Sequence, residues 1–189
     1  MYGFLSVDCE PGLWGGLCAA AAKEAGAGFV MVTGLGARDA DRLALASKFG
    51  ADLAVDVSSD DPVVELTKAT GALADVVVDV TARAPAAFAQ AIALAHPAGT
   101  VVVAGTRGFG SSAPEFWPDM IVFKELRVLG ALGVDVTAYR AALDLLASGR
   151  CPFASLPRRC VGLDDAEDLL ATRAGERDDV PPVHGVLAP

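Results

Sequence analysis

Short, uninterrupted apolar runs alternate with segments of helical period along most of this chain, and few architectures accept that pattern. Strand-like runs are read at Phe4–Cys9, Phe29–Val32, Leu53–Val55, Asp75–Val80, Thr100–Ala104 and Leu126–Leu129. Helices are read between and after them at Leu17–Ala25, Arg38–Phe49, Asp61–Thr70, Pro85–Ala95, Pro118–Phe123 and Val136–Ser148. A strand with one face in water alternates apolar and polar residues. A run such as Phe29-Val30-Met31-Val32 does not, so both of its faces must be covered. The pattern predicts an α/β domain over residues 1–150, with a doubly wound, parallel, six-stranded sheet of Rossmann-like type. Residues 151–189 break the rhythm and are read as a short C-terminal appendage, with a helix at Leu163–Thr172 and an extended end at Pro181–Leu187.

Charge and composition exclude several functions. The net charge is -9 and no run of Lys or Arg occurs, so the cation cluster that displaces counterions from a nucleic acid is missing. Ala84–Thr106 contains no charged residue, yet Pro85, Pro97 and Gly99 divide it into helix, turn and strand, which argues against a membrane span. The first residues, MYGFLSVDCEPG, lack the basic region of a signal peptide. Cys9, Cys18, Cys151 and Cys160 form no Cys-x-x-Cys pair and have no nearby His, so free thiols in a reducing cytoplasm are expected.

Ligands of parallel α/β sheets bind outside the carboxyl ends of the strands. This places the loops near residues 10–15, 34–38, 81–84 and 105–111 on one rim. The first of them reads Glu10-Pro11-Gly12-Leu13-Trp14-Gly15. A dinucleotide-binding turn, G-x-G-x-x-G, uses glycines for the tight turn, for approach of the backbone to the pyrophosphate, and for helix-on-strand packing. Gly12 and Gly15 match the second and third glycines, while Glu10 replaces the first with a carboxylate that repels a pyrophosphate. The second strand leads into Thr33-Gly34-Leu35-Gly36-Ala37-Arg38, with no acid at its end to hold ribose hydroxyls; Arg38 suits a 2′-phosphate and leans the choice towards NADP. Thr81, Gly105 and Thr106 follow the fourth and fifth strands, where a nicotinamide would lie. No catalytic set emerges. His96 reads as a helix-end cap, His184 has no partner in view, and Glu115, Asp119 and Glu125 read as a solvated face.

The ordered set of segments resembles the zinc-type alcohol dehydrogenases of the medium-chain dehydrogenase/reductase family. The stretches that carry it are Gly12–Ala27 with Ala19-Ala20-Ala21-Ala22-Lys23, Asp41-Arg42-Leu43-Ala44-Leu45-Ala46 leading to Gly50-Ala51-Asp52, and Asp75-Val76-Val77-Val78-Asp79. Pro97-Ala98-Gly99-Thr100-Val101-Val102-Val103, Ile121-Val122-Phe123-Lys124-Glu125-Leu126 and Ala141–Gly149 complete it. The resemblance implies a sheet that binds NAD or NADP, with Gly12, Leu13, Trp14 and Gly15 at the pyrophosphate and Gly34 where the ribose-binding acid usually stands. It also implies Thr81, Gly105, Thr106, Ala131 and Leu132 on the nicotinamide side, and a sixth strand that borders a partner subunit in dimeric relatives. Family members begin with a GroES-like barrel, about one domain's worth of chain, which carries the zinc ligands and proton relay. That barrel is not found before the first strand, so this chain is expected to bind no zinc and to need a separate catalytic domain.

Two functions follow from the resemblance. One is the cofactor-holding portion of an oxidoreductase that transfers hydride from an alcohol or polyol. The other is a non-catalytic remnant or dimerising module with weak or no dinucleotide binding. In the second, the appendage has lost its packing partner and is expected to sit loosely or to expose an apolar patch. A different Rossmann-like enzyme, such as a methyltransferase, is disfavoured by the order of matched segments.

Overall fold

The computed structural model describes residues 4–8, 14–82, 84–179 and 182–189. Its strands are β1 (Phe4–Asp8), β2 (Phe29–Gly34), β3 (Leu53–Asp56), β4 (Ala74–Asp79), β5 (Ala95–Val103) and β6 (Arg127–Gly130), in the sheet order β3-β2-β1-β4-β5-β6. Every pairing is parallel. The chain starts in the middle of the sheet, winds outward to β3, then returns to lay β4 beside β1. Such an order leaves a crevice at the carboxyl ends where the direction of winding reverses.

Helices α1 (Trp14–Glu24), α2 (Gly36–Ala46), α3 (Pro62–Thr70), α4 (Pro85–Leu94), α5 (Asp119–Phe123) and α6 (Val136–Ser148) connect or follow these strands. Successive residues of a strand face opposite ways, and β2 and β4 divide between two cores accordingly. Val30, Val32, Val76 and Val78 pack with Ala19, Ala22 and Ala46 from α1 and α2. Met31 and Val77 pack with Leu66, Ala91, Ile92, Leu94 and Val101 on the other face. The alanines of α1 let its backbone lie close to the sheet, and Ala19 is fully buried. Met31, Leu94, Val77 and Val101 are equally buried, each contributing about 2 kcal/mol of transfer free energy.

Local chemistry sets the helix ends. The Asp61 carboxylate accepts from the amides of Val63 at 2.8 Å and Val64 at 3.3 Å, and Pro62 needs no partner at the first helical position of α3. Asp135 caps α6 by accepting from the Ala138 amide at 2.7 Å. The end of α4 is closed by a residue distant in sequence: Lys124 Nζ donates to the carbonyls of Ile92, Ala93 and Ala95 at 2.8–2.9 Å. Burial lowers the pKa of that ammonium. The cap expected of His96 is therefore absent; His96 lies within β5, its Nδ1 2.7 Å from the Pro97 carbonyl oxygen.

Beyond β6 the packing changes. Every residue of β6 is exposed, and α6 buries none. A bidentate ion pair from Arg150 to Glu24 ties the end of α6 to α1, at 2.9 and 2.7 Å. The C-terminal residues add a strand absent from the sequence reading, β7 (Arg158–Val161), which pairs in parallel with β8 (His184–Leu187), and a helix, α7 (Ala166–Ala174). Leu169 and Val183 are buried there, whereas Leu163 and Leu170 are exposed.

Candidate functional site

Strand register decides which candidate residues share a rim. Asp8 pairs with Thr33 on one side and Asp79 on the other; Gly34 pairs with Asp56, Asp79 with Val103, and Val103 with Gly130. The carboxyl ends are therefore level. Gly34, Thr81, Gly105, Thr106, Ala131 and Leu132 all stand at or just past them, with Thr106, Ala131 and Leu132 exposed. Gly15 opens α1 on the same rim and borders a small crevice with Gly16, Thr33, Gly34, Asp39 and Arg42. Gly12 and Leu13 lie outside the described residues, as does Glu10, and the side chains of Trp14 and Arg38 are likewise outside the description.

At the end of β2 the structure brings back an acid that in sequence comes only after the strand end. Asp39, in the first turn of α2, is buried and folds back so that its Oδ2 accepts from the Leu35 amide at 2.8 Å. Its Oδ1 accepts from Arg42 at 3.0 Å. Gly34 leaves the space for this return: a Cβ there would lie 3.0 Å from Leu43 Cδ2 and 3.1 Å from Asp39 Cβ. Alongside, Asp56 at the end of β3 accepts from Gly36 N at 2.7 Å, Ser58 N at 2.8 Å and Ser58 Oγ at 2.6 Å. The Ser58 hydroxyl, then the two amides, hold the Asp56 carboxyl below the usual carboxylate range.

The ends of β4 and β5 are closer still. Ala104 N and Gly105 N both donate to the Asp79 carbonyl, at 2.8 and 3.1 Å. A side chain on Gly105 would overlap the Thr81 carbonyl, so only glycine lets these two loops touch. Thr81 is buried and donates through both its amide and its hydroxyl to Asp79 Oδ1, at 3.1 and 2.5 Å. Arg107 completes the cluster by pairing with Asp79 Oδ2. Neither Asp79 nor Arg107 was singled out from the sequence, because an Arg in the Gly-rich stretch Gly105–Gly110 looks solvated and its partner lies far back in the chain.

Among the described residues no group of three or more His, Cys, Asp or Glu side chains could hold a metal ion, and Cys18, Cys151 and Cys160 are free thiols. No described helix is long and apolar enough to cross a membrane.

Residues 15–148 match the family model described as zinc-binding dehydrogenase. The chain is 81% identical over 179 residues to a "probable alcohol dehydrogenase" of Mycobacterium tuberculosis, covering 95% of this chain and 49% of that protein. It is 34% identical over 131 residues to D-arabitol-phosphate dehydrogenase of Enterococcus avium, covering 68% of this chain and 35% of that one. Among solved structures, a zinc-binding dehydrogenase of Sinorhizobium meliloti bound to NADP superposes with a TM-score of 0.82 at 30% identity, over 100% of this chain and 52% of that one. The 2R,3R-butanediol dehydrogenase of Bacillus subtilis gives 0.79 at 27% identity, over 100% and 51%. The chain thus spans about half the length of the M. tuberculosis relative and of these solved dehydrogenases. With a family match over most of its length and a dinucleotide-type sheet order, the chain belongs to the zinc-binding dehydrogenase family.

Proposed function

We propose that this chain holds the nicotinamide dinucleotide of an enzyme that oxidises an alcohol or polyol. The observation that carries the reading is the level rim: Gly15 at the start of α1, Gly34 at the end of β2, and Thr81 beside Gly105 at the ends of β4 and β5. Gly12, Leu13, Trp14 and Gly15 would take the pyrophosphate, using amides at the start of α1. Gly34 and Arg38 would face the adenosine ribose. Thr81, Gly105, Thr106, Ala131 and Leu132 would border the nicotinamide, which when bound accepts or gives the hydride. The chain's own residues bind and orient. The metal and the proton relay belong to a separate catalytic part, on which residues 151–189 would pack, leaving 1–150 as the cofactor domain.

NADP is the favoured form. Asp39 is buried and turned back onto Leu35 N and Arg42, so this acid near the end of β2 is not presented to a ribose diol. The S. meliloti neighbour was solved with NADP. Titration of the full chain with NADPH and NADH, followed by nicotinamide fluorescence, is the test. Saturation with NADPH at lower concentration than NADH is expected. Binding of neither would sink the cofactor reading and leave the remnant; tighter NADH binding would reverse the preference.

The same reading takes a second copy of the chain as partner. The sheet ends at β6, whose backbone is unpaired on its outer side, and Leu129, Leu132 and Val134 are exposed around it. Sedimentation at micromolar concentration should give a dimer that Leu129→Arg converts to monomer; a monomeric parent chain would refute this. The cytoplasm is the proposed compartment, on the strength of the free thiols.

A further inference from the structure

A charge pair is buried between β4 and β5 although no packing argument requires it. Asp79 is fully buried, and the Arg107 side chain is 14% exposed. Burying two charges carries a desolvation cost, and apolar side chains of similar volume commonly hold strands at least as well. A pair retained at such a place fixes geometry more than it adds stability, and the contacts of Arg107 identify which geometry. One guanidinium nitrogen pairs with Asp79 Oδ2 and lies 3.2 Å from Thr81 Oγ1. A second donates to the Gly105 carbonyl at 3.0 Å. The guanidinium sits 5.9 Å from the Phe88 ring centroid, and Phe88 meets Phe116 edge to face at 4.8 Å. Arg107 Nε is buried with no hydrogen-bond partner, so the side chain is held at this place without every donor being satisfied.

Arg107 thereby adds side-chain bonds to the backbone bonds that already join the loop after β4 to the loop after β5. Both are the loops at which the nicotinamide half of a dinucleotide would lie, whereas the adenosine half would lie towards β2 and β3. We propose that Arg107 is a positioning residue for the nicotinamide end of the cofactor. Acting through Asp79, Thr81 and the Gly105 carbonyl, it sets the gap between the two loops and leaves the adenosine end unaffected. This rests on the dinucleotide reading and adds to it a division of labour along the rim.

The test compares NADPH with 2′-phospho-ADP-ribose, which lacks the nicotinamide, on the full chain by calorimetry and fluorescence; NADH and ADP-ribose replace them if the wild type prefers NAD. In the wild type the reduced cofactor should bind about tenfold tighter than the nicotinamide-free ligand, with a blue-shifted, enhanced emission. In Arg107→Met that advantage and the emission change should vanish while the nicotinamide-free ligand binds within about twofold of wild type. Arg107→Lys should recover part of both. The double variant Asp79→Asn/Arg107→Met removes both charges together and should behave as Arg107→Met does, which guards against a lone buried carboxylate unfolding the chain. Equal losses for both ligands, or no loss for either, would overturn the assignment. If the wild type binds neither ligand, the dinucleotide reading itself has failed and the role of Arg107 goes with it.

Discussion

The part of the sheet from β3 to β5 and the part beyond it are built from similar residues and packed very differently. Leu94, Val77 and Val101 in the first are fully buried, whereas Leu143 of α6 and Leu129 of β6 are 56% and 52% exposed. Yet α6 is well formed, with Asp135 at its start and Gly149 at φ 67° after its end. Helix formation here depends on end groups and residue propensity, and burial is a separate matter that needs a partner surface. An apolar helix or strand left open in this way marks where something else is to pack.

Substitutions can break or sharpen this contrast. The largest effect is expected from Leu94→Ala, which removes a fully buried side chain and should cost about 3 kcal/mol in urea unfolding, while Leu143→Ala should change stability by less than about 0.5 kcal/mol. Similar losses at both positions would mean that α6 is packed after all. Gly105→Ala should cost about 2–3 kcal/mol, because the new methyl group overlaps the Thr81 carbonyl and neither strand end can retreat freely. A neutral result would show that the two loops are slack.

Lys124→Met probes the joint between the two regions. It strips the three carbonyls at the end of α4 of their donor and should cost about 2 kcal/mol. Asp56→Asn should show at neutral pH and fade in acid. The Asp56 pKa is depressed in the folded chain, so its stabilisation is complete above about pH 4, the ordinary aspartate range, and is lost as pH falls through the folded value. The variant should lower the neutral plateau slightly and flatten the acid limb, so that the two proteins converge as pH falls. The smallest effect on stability, and a clear one on reactivity, concerns thiols. Burial pushes the Cys18 thiol up to about 11, so alkylation near pH 8 followed by peptide mass mapping should label exposed Cys160 long before Cys18.

Much of this fold was legible from residue pattern. Helix α6 was read with its observed ends, Val136–Ser148, because Asp135 and Gly149 are strong boundary signals. Strand β5 was read as Thr100–Ala104 but spans Ala95–Val103, since Pro97-Ala98-Gly99 carries turn signals that the sheet absorbs with Ala98 at φ 64° and a register shift between Ala74 and Val76. Strand β7 was missed because Arg158-Arg159-Cys160-Val161 is not an apolar run and its partner β8 lies beyond a helix. At the site, the rim followed from strand ends alone. The return of Asp39 to the end of β2 and the reach of Arg107 to Asp79 did not, because each depends on where a side chain turns in space rather than on its place in a motif.

Lys124 carries one consequence further. Its ammonium grips the end of α4 while its carbonyl accepts from the Ala98 amide at 2.6 Å, so the chain is pinned from two directions three residues before β6 begins. The outermost strand is thus placed by its backbone ladder to β5 and by an anchor at its root, and less by what its own exposed side chains touch. Its outer backbone edge is therefore held in a fixed position whether or not anything pairs with it.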